Sequence, residues 1–136
     1  MTAPPTTAPP DLALVVDDSR SMRSILGRVL GGLGWRICEA GDGREALEML
    51  AGDCRPALVL VDWNMPVMNG LEFVAAVRSD PRTSDLALLM VSSESELEQI
   101  VLALDAGADE YIVKPFTADA LAAKIARLSE PRAARP

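Results

Sequence analysis

The chain has 136 residues, a net charge of -7 at pH 7 and no histidine, and 49% of its residues are hydrophobic. This length suits one domain with a substantial core rather than two domains. The acidic balance argues against non-specific binding to nucleic acid or to an anionic membrane. Without histidine, the chain cannot contain a His-ligated zinc site or a His-based catalytic triad, and it cannot form a phosphohistidine of its own.

The ends of the chain and its cysteines favour a cytoplasmic protein. No apolar run is long enough to span a bilayer, and the N-terminus lacks the basic flank and apolar core of a signal peptide, so membrane insertion is not expected. Cys38 and Cys54 suit a reducing compartment better than a disulfide scaffold. Residues 1–10 contain only Met, Thr, Ala and Pro and are predicted to form a flexible tail. We expect a domain at residues 11–130 and a short C-terminal tail at residues 131–136.

The first elements are a strand, a helix and a second strand. Residues 12–16 form an apolar run that ends on Asp17-Asp18 and predicts the first strand. Ser19 is a plausible N-cap for the first helix, which weakens at the glycines of residues 31–34. The predicted inward stripe of this helix is Met22, Ile25, Leu26, Val29 and Leu33. Residues 35–40 predict the second strand.

The centre of the chain contains the most informative strand. After a turn at residues 41–43, the second helix has Ala46, Leu47 and Leu50 facing inward and stops near Gly52. Residues 57–61 have no polar face, so they predict a strand that is buried on both sides of a sheet and ends on Asp62. Gly70 begins the third helix, with inward positions at Leu71, Val74 and Val77.

The last third of the chain repeats the pattern twice. Residues 86–91 predict a buried strand that ends on Ser92, and residues 110–113 predict a strand that ends on Lys114-Pro115. The fourth helix ends at Gly107, and Thr117 caps the fifth, which Pro131 stops. The inward positions are predicted to be Leu97, Ile100, Val101 and Leu104 on the fourth helix, and Leu121, Ile125 and Leu128 on the fifth.

Five alternations of strand and helix predict an α/β fold, with a parallel sheet covered by helices on both faces. Right-handed crossovers then bring the carboxyl ends of all strands to one edge. Four strands end on reactive side chains, namely Asp17-Asp18, Asp62, Ser92 and Lys114. A strand order of 2-1-3-4-5 would place these four ends side by side.

Three carboxylates in one pocket require positive charge. A pair of carboxylates at ~4 Å repels by roughly 4 kcal/mol at an effective dielectric near 20. Lys114 supplies one positive charge, and hard oxygen donors without His or Cys favour Mg²⁺ for the rest. Ser92 and Lys114 at the same edge could neutralise a transferring phosphoryl group, with Asp62 as its nucleophile.

At these residues the chain resembles a response-regulator receiver domain, especially the stand-alone chemotaxis response regulator. The matching segments are VVDDSR at 15–20, VDWNMP at 61–66, MNG at 68–70, MVSSE at 90–94 and YIVKPF at 111–116. The resemblance covers residues 11–130. It implies a flavodoxin-like (βα)₅ sandwich of three layers, with a five-stranded parallel sheet in the order 2-1-3-4-5.

The resemblance also implies roles for single residues. Asp62 would accept a phosphoryl group from a sensor histidine kinase, and Asp18, Asp62 and the backbone carbonyl of Asn64 would ligate Mg²⁺, which Mn²⁺ can replace. Asp17 would act on the metal indirectly, and the Lys114-Pro115 bond would be cis. Ser92 and Tyr111 would form the switch. Asn64 and Glu94 would tune loss of the phosphoryl group.

The expected output is binding of another protein by a monomer, through the face made by helix four, strand five and helix five, with Leu102 as a candidate contact. A relay or phosphate sink is the main alternative. An FMN-binding module is disfavoured because Asp17 and Asp18 would repel the flavin phosphate. An aspartyl-phosphate phosphatase would need an acid at position 64, where this chain has Asn64. The pattern therefore predicts a phosphoacceptor rather than a turnover enzyme.

Overall fold

The computed structural model describes residues 12–128, in which five strands alternate with five helices. The strands are β1 (Leu12–Val16), β2 (Arg36–Ala40), β3 (Leu58–Asp62), β4 (Ala87–Ser92) and β5 (Glu110–Val113). The helices are α1 (Arg20–Gly32), α2 (Gly43–Ala51), α3 (Gly70–Ser79), α4 (Leu97–Ala106) and α5 (Ala118–Leu128). Within this part of the chain, no helix has both the length and the apolar composition needed to cross a bilayer. The predicted tails and the stop at Pro131 lie outside the described residues.

The strands form one parallel sheet in the order β2-β1-β3-β4-β5, which confirms the predicted flavodoxin-like topology. Val16, the last residue of β1, lies opposite Ala40 on one side and Val61 on the other. Ser92, the last residue of β4, lies opposite Val113. The strands therefore end nearly level, and the residues that follow them meet at one edge of the sheet.

Alternate residues of the central strands enter two separate cores. On β3, Val59 and Val61 pack on the side that α2, α3 and α4 cover, whereas Leu58 and Leu60 pack on the side of α1 and α5. Phe73 of α3 is fully buried in the first core. Complete burial of such a side chain stabilises a fold by about 1.5–3 kcal/mol. The wholly apolar β3 run is thus explained by a sheet with both faces covered.

The predicted inward faces of α2, α3 and α5 are confirmed, but the stripe on α1 is partly wrong. Leu26 and Leu30 are the buried residues of α1, whereas Ile25 and Leu33 are exposed. Ile25 precedes Leu26 and therefore lies about 100° away around the helix. Leu33 lies beyond the last helical residue, at the C-cap position. Met22 and Val29 pack against the core, as predicted.

The predicted inward face of α4 is mostly wrong. Leu97 is 74% exposed, and Val101 and Leu104 are also exposed, while Ala103 is buried and Ile100 packs against the core. Leu97, Val101 and Leu104 form a line at i, i+4 and i+7, about a quarter turn from the line of Ile100 and Ala103. Because both lines are apolar, periodicity alone cannot choose between them. These three side chains therefore form an exposed apolar line on α4, and Leu102 is exposed as well.

Candidate functional site

Three carboxylates meet where β1 and β3 end. Asp17 directly follows β1, Asp62 is the last residue of β3, and the pairing of Val16 with Val61 brings these two positions side by side. One carboxylate oxygen from each of Asp17, Asp18 and Asp62 lies within 4.8 Å of the other two. Asp17 is 1% exposed and Asp62 is 7% exposed, whereas Asp18 faces solvent. The structure thus brings together the three carboxylates that the sequence predicted to share a pocket.

The electrostatics of this pocket suit a hard cation. Burial raises the pKa of Asp62, and the charge of Asp17 raises it further, while Lys114 opposes both effects. The Oδ2 atom of Asp17 is buried and accepts no hydrogen bond from the protein. A buried acceptor without a partner is costly. The three candidate ligand side chains offer only carboxylate oxygens, so the arrangement fits Mg²⁺ better than a soft metal.

Lys114 supplies the positive charge of the pocket. Its Nζ lies 3.3 Å from Asp62 Oδ1 and 3.6 Å from Asp17 Oδ2. Its backbone N–H donates to the carbonyl of Ser92 at 2.8 Å, which ties the start of the β5–α5 loop to the end of β4. The Lys114-Pro115 peptide bond is cis, as the resemblance implied. Lys114 therefore contacts both buried carboxylates from the loop that follows the edge strand β5.

Ser92 and Tyr111 occupy the adjoining part of the edge. The Oγ of Ser92 is buried and accepts a hydrogen bond from the Glu94 N–H at 3.0 Å. The Tyr111 hydroxyl donates to the Glu94 carbonyl at 2.7 Å. The Tyr111 ring is buried edge-on to Trp63, with the ring centroids 6.3 Å apart. One backbone unit, that of Glu94, thus links the hydroxyl residue to the aromatic residue.

Asn64 and Glu94 lie in loops and are more exposed to solvent than the buried residues of the site. Asn64 is exposed in the loop after β3, and Glu94 is half-buried in the loop after β4. Glu94 acts through its backbone in the contacts described above. The effect of these two side chains on phosphoryl loss stays a prediction, as does metal ligation by the Asn64 carbonyl.

Arg23 is a contributor that sequence reasoning missed. Its Nη1 donates to the backbone carbonyl of Asp17 at 2.6 Å, and its Nε donates to Glu39 Oε1 at 2.8 Å. The residue therefore fixes the β1–α1 turn against the end of β2. Ser19 supports the same turn, because its N–H donates to Asp17 Oδ1 and its Oγ caps α1. No spacing rule could have identified Arg23, since its contact depends on how α1 packs.

Gly70 brings α3 unusually close to the acidic strand. An added Cβ at this position would lie 2.5 Å from the carbonyl oxygen of Asp62 and 2.9 Å from the Cα of Trp63. The Gly70 N–H donates to the Trp63 carbonyl at 2.8 Å. Asn69 and Glu72 complete a capping box at the same helix end. The sequence predicted the helix start at Gly70 but not that only glycine fits there.

Comparison with known proteins gives a consistent result. The family model described as "Response regulator receiver domain" matches residues 13–126. The chain is 45% identical over 118 residues to the chemotaxis protein CheY of Pseudomonas aeruginosa, covering 86% of this chain and 94% of that protein. It is 43% identical over 113 residues to the chemotaxis protein CheY1 of Helicobacter pylori, covering 82% and 91% respectively.

A solved structure with a bound metal is also similar. The response regulator TrrA of Thermotoga maritima, in complex with Mg²⁺ and BeF, superposes with a TM-score of 0.77 and 32% sequence identity. The match covers 87% of this chain and 98% of that one.

Proposed function

Because this chain belongs to the response regulator receiver family, we propose that Asp62 accepts a phosphoryl group from the phosphohistidine of a sensor histidine kinase. The observation that carries the proposal is the burial of Asp62 between two other carboxylates and the Lys114 amine. A buried acid beside like charges costs stability, and groups of this kind are concentrated at functional sites. A receiver of this kind is a signalling phosphoacceptor and not an enzyme that turns over a substrate.

Asp18, Asp62 and the backbone carbonyl of Asn64 would hold Mg²⁺, with Asp17 orienting it. The buried Oδ2 of Asp17, which accepts no hydrogen bond from the protein, supports this assignment. When bound, the ion neutralises charge that develops on the phosphoryl oxygens. Mn²⁺, with similar ligand preferences, would substitute.

For the transfer itself, the main contribution of the protein is to position the reacting groups. One Oδ of Asp62 attacks phosphorus as the P–N bond of the phosphohistidine breaks, and the bond electrons stay with the donor imidazole. Lys114 lies within ion-pair distance of Asp62. After the transfer its amine would form an ion pair with the phosphoryl oxygens. The Ser92 hydroxyl, at the end of the neighbouring strand, would donate to another of those oxygens.

Ser92 and Tyr111 would carry the signal away from the site. If the Ser92 hydroxyl moves towards the phosphoryl group, the hydrogen bond that it accepts from the Glu94 N–H weakens. The change reaches Tyr111 because the Tyr111 hydroxyl donates to the Glu94 carbonyl. The two arrangements of this loop would then differ in population between the free and phosphorylated states. Tyr111 is already buried in this structure, so its packing alone does not identify the active state.

The surface that would deliver the output combines α4, β5 and α5. On α4 its exposed apolar side chains are Leu97, Val101, Leu102 and Leu104. Several exposed apolar side chains on one helix are a typical feature of a protein-binding surface. We place the protein in the cytoplasm as a monomer that binds a chemotaxis component, because the relatives are chemotaxis proteins. A relay or phosphate sink is the alternative output.

Phosphorylation by a small donor tests the acceptor directly. Acetyl phosphate with Mg²⁺ should add one phosphoryl group to the protein, measured by intact mass, and hydroxylamine should remove it, as it does for acyl phosphates. Asp62→Asn should abolish the addition. Asp85→Asn, which changes an exposed loop acid, is the matched control and should be labelled like the unaltered chain. Full labelling of the Asp62→Asn protein would overturn the proposal.

A capture experiment separates the outputs. The chain should bind its target more strongly with beryllofluoride than without it, and Leu102→Asp should weaken that binding while Asp62 is still phosphorylated. A phosphate sink would instead lose its phosphoryl group without forming such a complex.

A further inference from the structure

The two cysteines of the chain lie in contact although they are 16 residues apart. Cys38 is on β2 and Cys54 is in the segment between α2 and β3, and their sulfur atoms are 3.4 Å apart in a hydrogen bond. Both residues are free thiols, and each residue is partly exposed to solvent. A disulfide has an S–S distance near 2.0 Å. The sulfurs therefore need to approach by little more than an ångström to form one.

Ordered backbone holds both sulfurs in place. Cys38 pairs with Leu14 across the β2–β1 ladder, and its Sγ lies 3.7 Å from the carbonyl of Ala13. The N–H of Cys54 donates to the Met49 carbonyl at 3.2 Å, and Arg55 donates to the Cys54 carbonyl at 3.0 Å. The short approach can thus come from rotation of the side chains, with the strand and the helix end left where they are.

The two cysteines are better suited to forming a covalent bond with each other than to binding a metal ion. Within residues 12–128, the side chains that lie close enough together to bind a metal as a group of three are Asp17, Asp18 and Asp62. Neither cysteine belongs to this group. The chain has no histidine to complete a site. Two thiolates alone do not make the four-coordinate site that zinc prefers.

We propose that Cys38 and Cys54 form a reversible intramolecular disulfide when the protein meets a low-molecular-weight disulfide such as glutathione disulfide. The Cys54 thiolate attacks one glutathione sulfur, the glutathione S–S bond breaks, and one glutathione thiolate leaves. Cys38 then attacks the Cys54 sulfur of the mixed disulfide, and the second glutathione leaves as a thiolate and takes up the Cys38 proton. Two protein thiols are oxidised to one disulfide, and one glutathione disulfide is reduced to two glutathione molecules.

The order of attack follows from the surroundings of Cys38. Burial, the hydrogen bond to Cys54 and the charge of Cys54 raise the pKa of the Cys38 thiol to about 12, against a smaller opposing effect of Arg36. Cys38 therefore keeps its proton while Cys54 attacks. Once Cys54 is in the mixed disulfide, both of its contributions to the high pKa are gone. Cys38 is then better able to ionise and resolve the intermediate.

The link would join the edge strand β2 to the segment that leads into β3, around a loop that contains α2. Such a loop is long enough for a disulfide to restrict the unfolded chain substantially. The inference rests on the geometry of the thiols and does not depend on the proposed phosphoacceptor function. Disulfides of this type inside cells are usually transient and respond to redox conditions.

The full chain treated with glutathione disulfide tests the proposal. We expect both thiols to disappear in a thiol titration, the intact mass to fall by two hydrogens with no glutathione attached, and a reductant to restore both thiols. Non-reducing digestion should give one linked peptide that contains Cys38 and Cys54. The oxidised protein should unfold at a higher temperature than the reduced protein, by roughly 10 °C.

Cys38→Ser is the matched variant, because it leaves the attacking thiol without its partner. It should accumulate one glutathione per chain, attached to Cys54. A stable glutathione adduct on the unaltered chain, with Cys38 still titratable, would overturn the proposal. An unchanged number of titratable thiols after the treatment would also overturn it, because that result would mean that the native positions of the sulfurs do not allow the bond.

Discussion

The Lys114 amine lies 3.3 Å from a carboxylate oxygen of Asp62, although the two residues are 52 positions apart in the chain. The same amine is 3.6 Å from Asp17 Oδ2, so it is shared between two buried acids. One cation cannot fully offset two buried carboxylates and the neighbouring Asp18. A pocket with this excess of negative charge destabilises the fold locally unless a cation binds there.

Asp62→Asn should stabilise the metal-free protein. Burial and the charge of Asp17 raise the pKa of Asp62 in the folded state. A carboxyl group whose pKa is raised on folding favours the folded state at pH values below its unfolded pKa, and this contribution is lost as the pH rises through the folded pKa. The ionised wild type therefore carries a penalty at pH 7 that the variant lacks. We expect the variant to be more stable by on the order of 1 kcal/mol in EDTA, by urea denaturation.

The advantage of the Asp62→Asn variant should shrink as the pH falls towards 4, because Asp62 then becomes neutral in the wild type as well. Excess Mg²⁺ should also reduce it at pH 7, by stabilising only the wild type. An advantage that grew on acidification would contradict the assigned direction of the pKa shift.

Trp63 should report metal binding. It directly follows Asp62 and its ring is nearly buried against Tyr111. With Trp35→Phe as the background, the remaining tryptophan fluorescence should change and saturate over a millimolar Mg²⁺ titration. Asp18→Ala on the same background should abolish the response, because it removes the exposed member of the acidic cluster. A flat titration in the background protein would count against the metal site.

Gly70→Ala should damage both stability and the site. The new Cβ would press on the Asp62 carbonyl at 2.5 Å, so backbone must move. We expect a loss of roughly 1–3 kcal/mol by chemical denaturation and a weaker Mg²⁺ response of Trp63. Gly31→Ala is the control, since its Cβ would meet nothing within 4 Å and alanine favours helix. Equal stability of the two variants would show that α3 does not approach β3 this closely.

Arg78→Ala should be among the most damaging changes outside the site. Arg78 pairs with Asp109 at 2.8 Å and also donates to the carbonyls of Gly107, Ser84 and Leu86. Without Arg78, the nearly buried Asp109 carboxylate keeps the Leu88 N–H donor but loses its charge partner, which costs roughly 3–5 kcal/mol. Arg82→Ala breaks the exposed pair with Asp80 instead and should change the urea midpoint little. Similar midpoints for both variants would contradict this assignment.

The strands and the acidic cluster could be predicted from the sequence because each depends on a local signal. The apolar run before Asp62 required burial on both sides, and the strand ends then had to meet. The exposed face of α4 could not be predicted, since Val101 and Ile100 are equally apolar and only tertiary packing distinguishes them. Arg23 was missed for a related reason: its partners, Asp17 and Glu39, come from two different strands. The contact between Cys38 and Cys54 likewise depends on the way that α2 returns the chain to the sheet.

The level ends of β1, β3, β4 and β5 have a consequence for quality control in the cell. Asp17, Asp62, Ser92 and Lys114 are each contributed by a different strand, and the pocket exists only when all four strands are paired. A truncated chain that lacks one of these strands would contain some of these residues but not the assembled pocket. Competence to receive a signal is therefore a property of the completed fold, and damaged copies would drop out of the signalling pool without consuming phosphate.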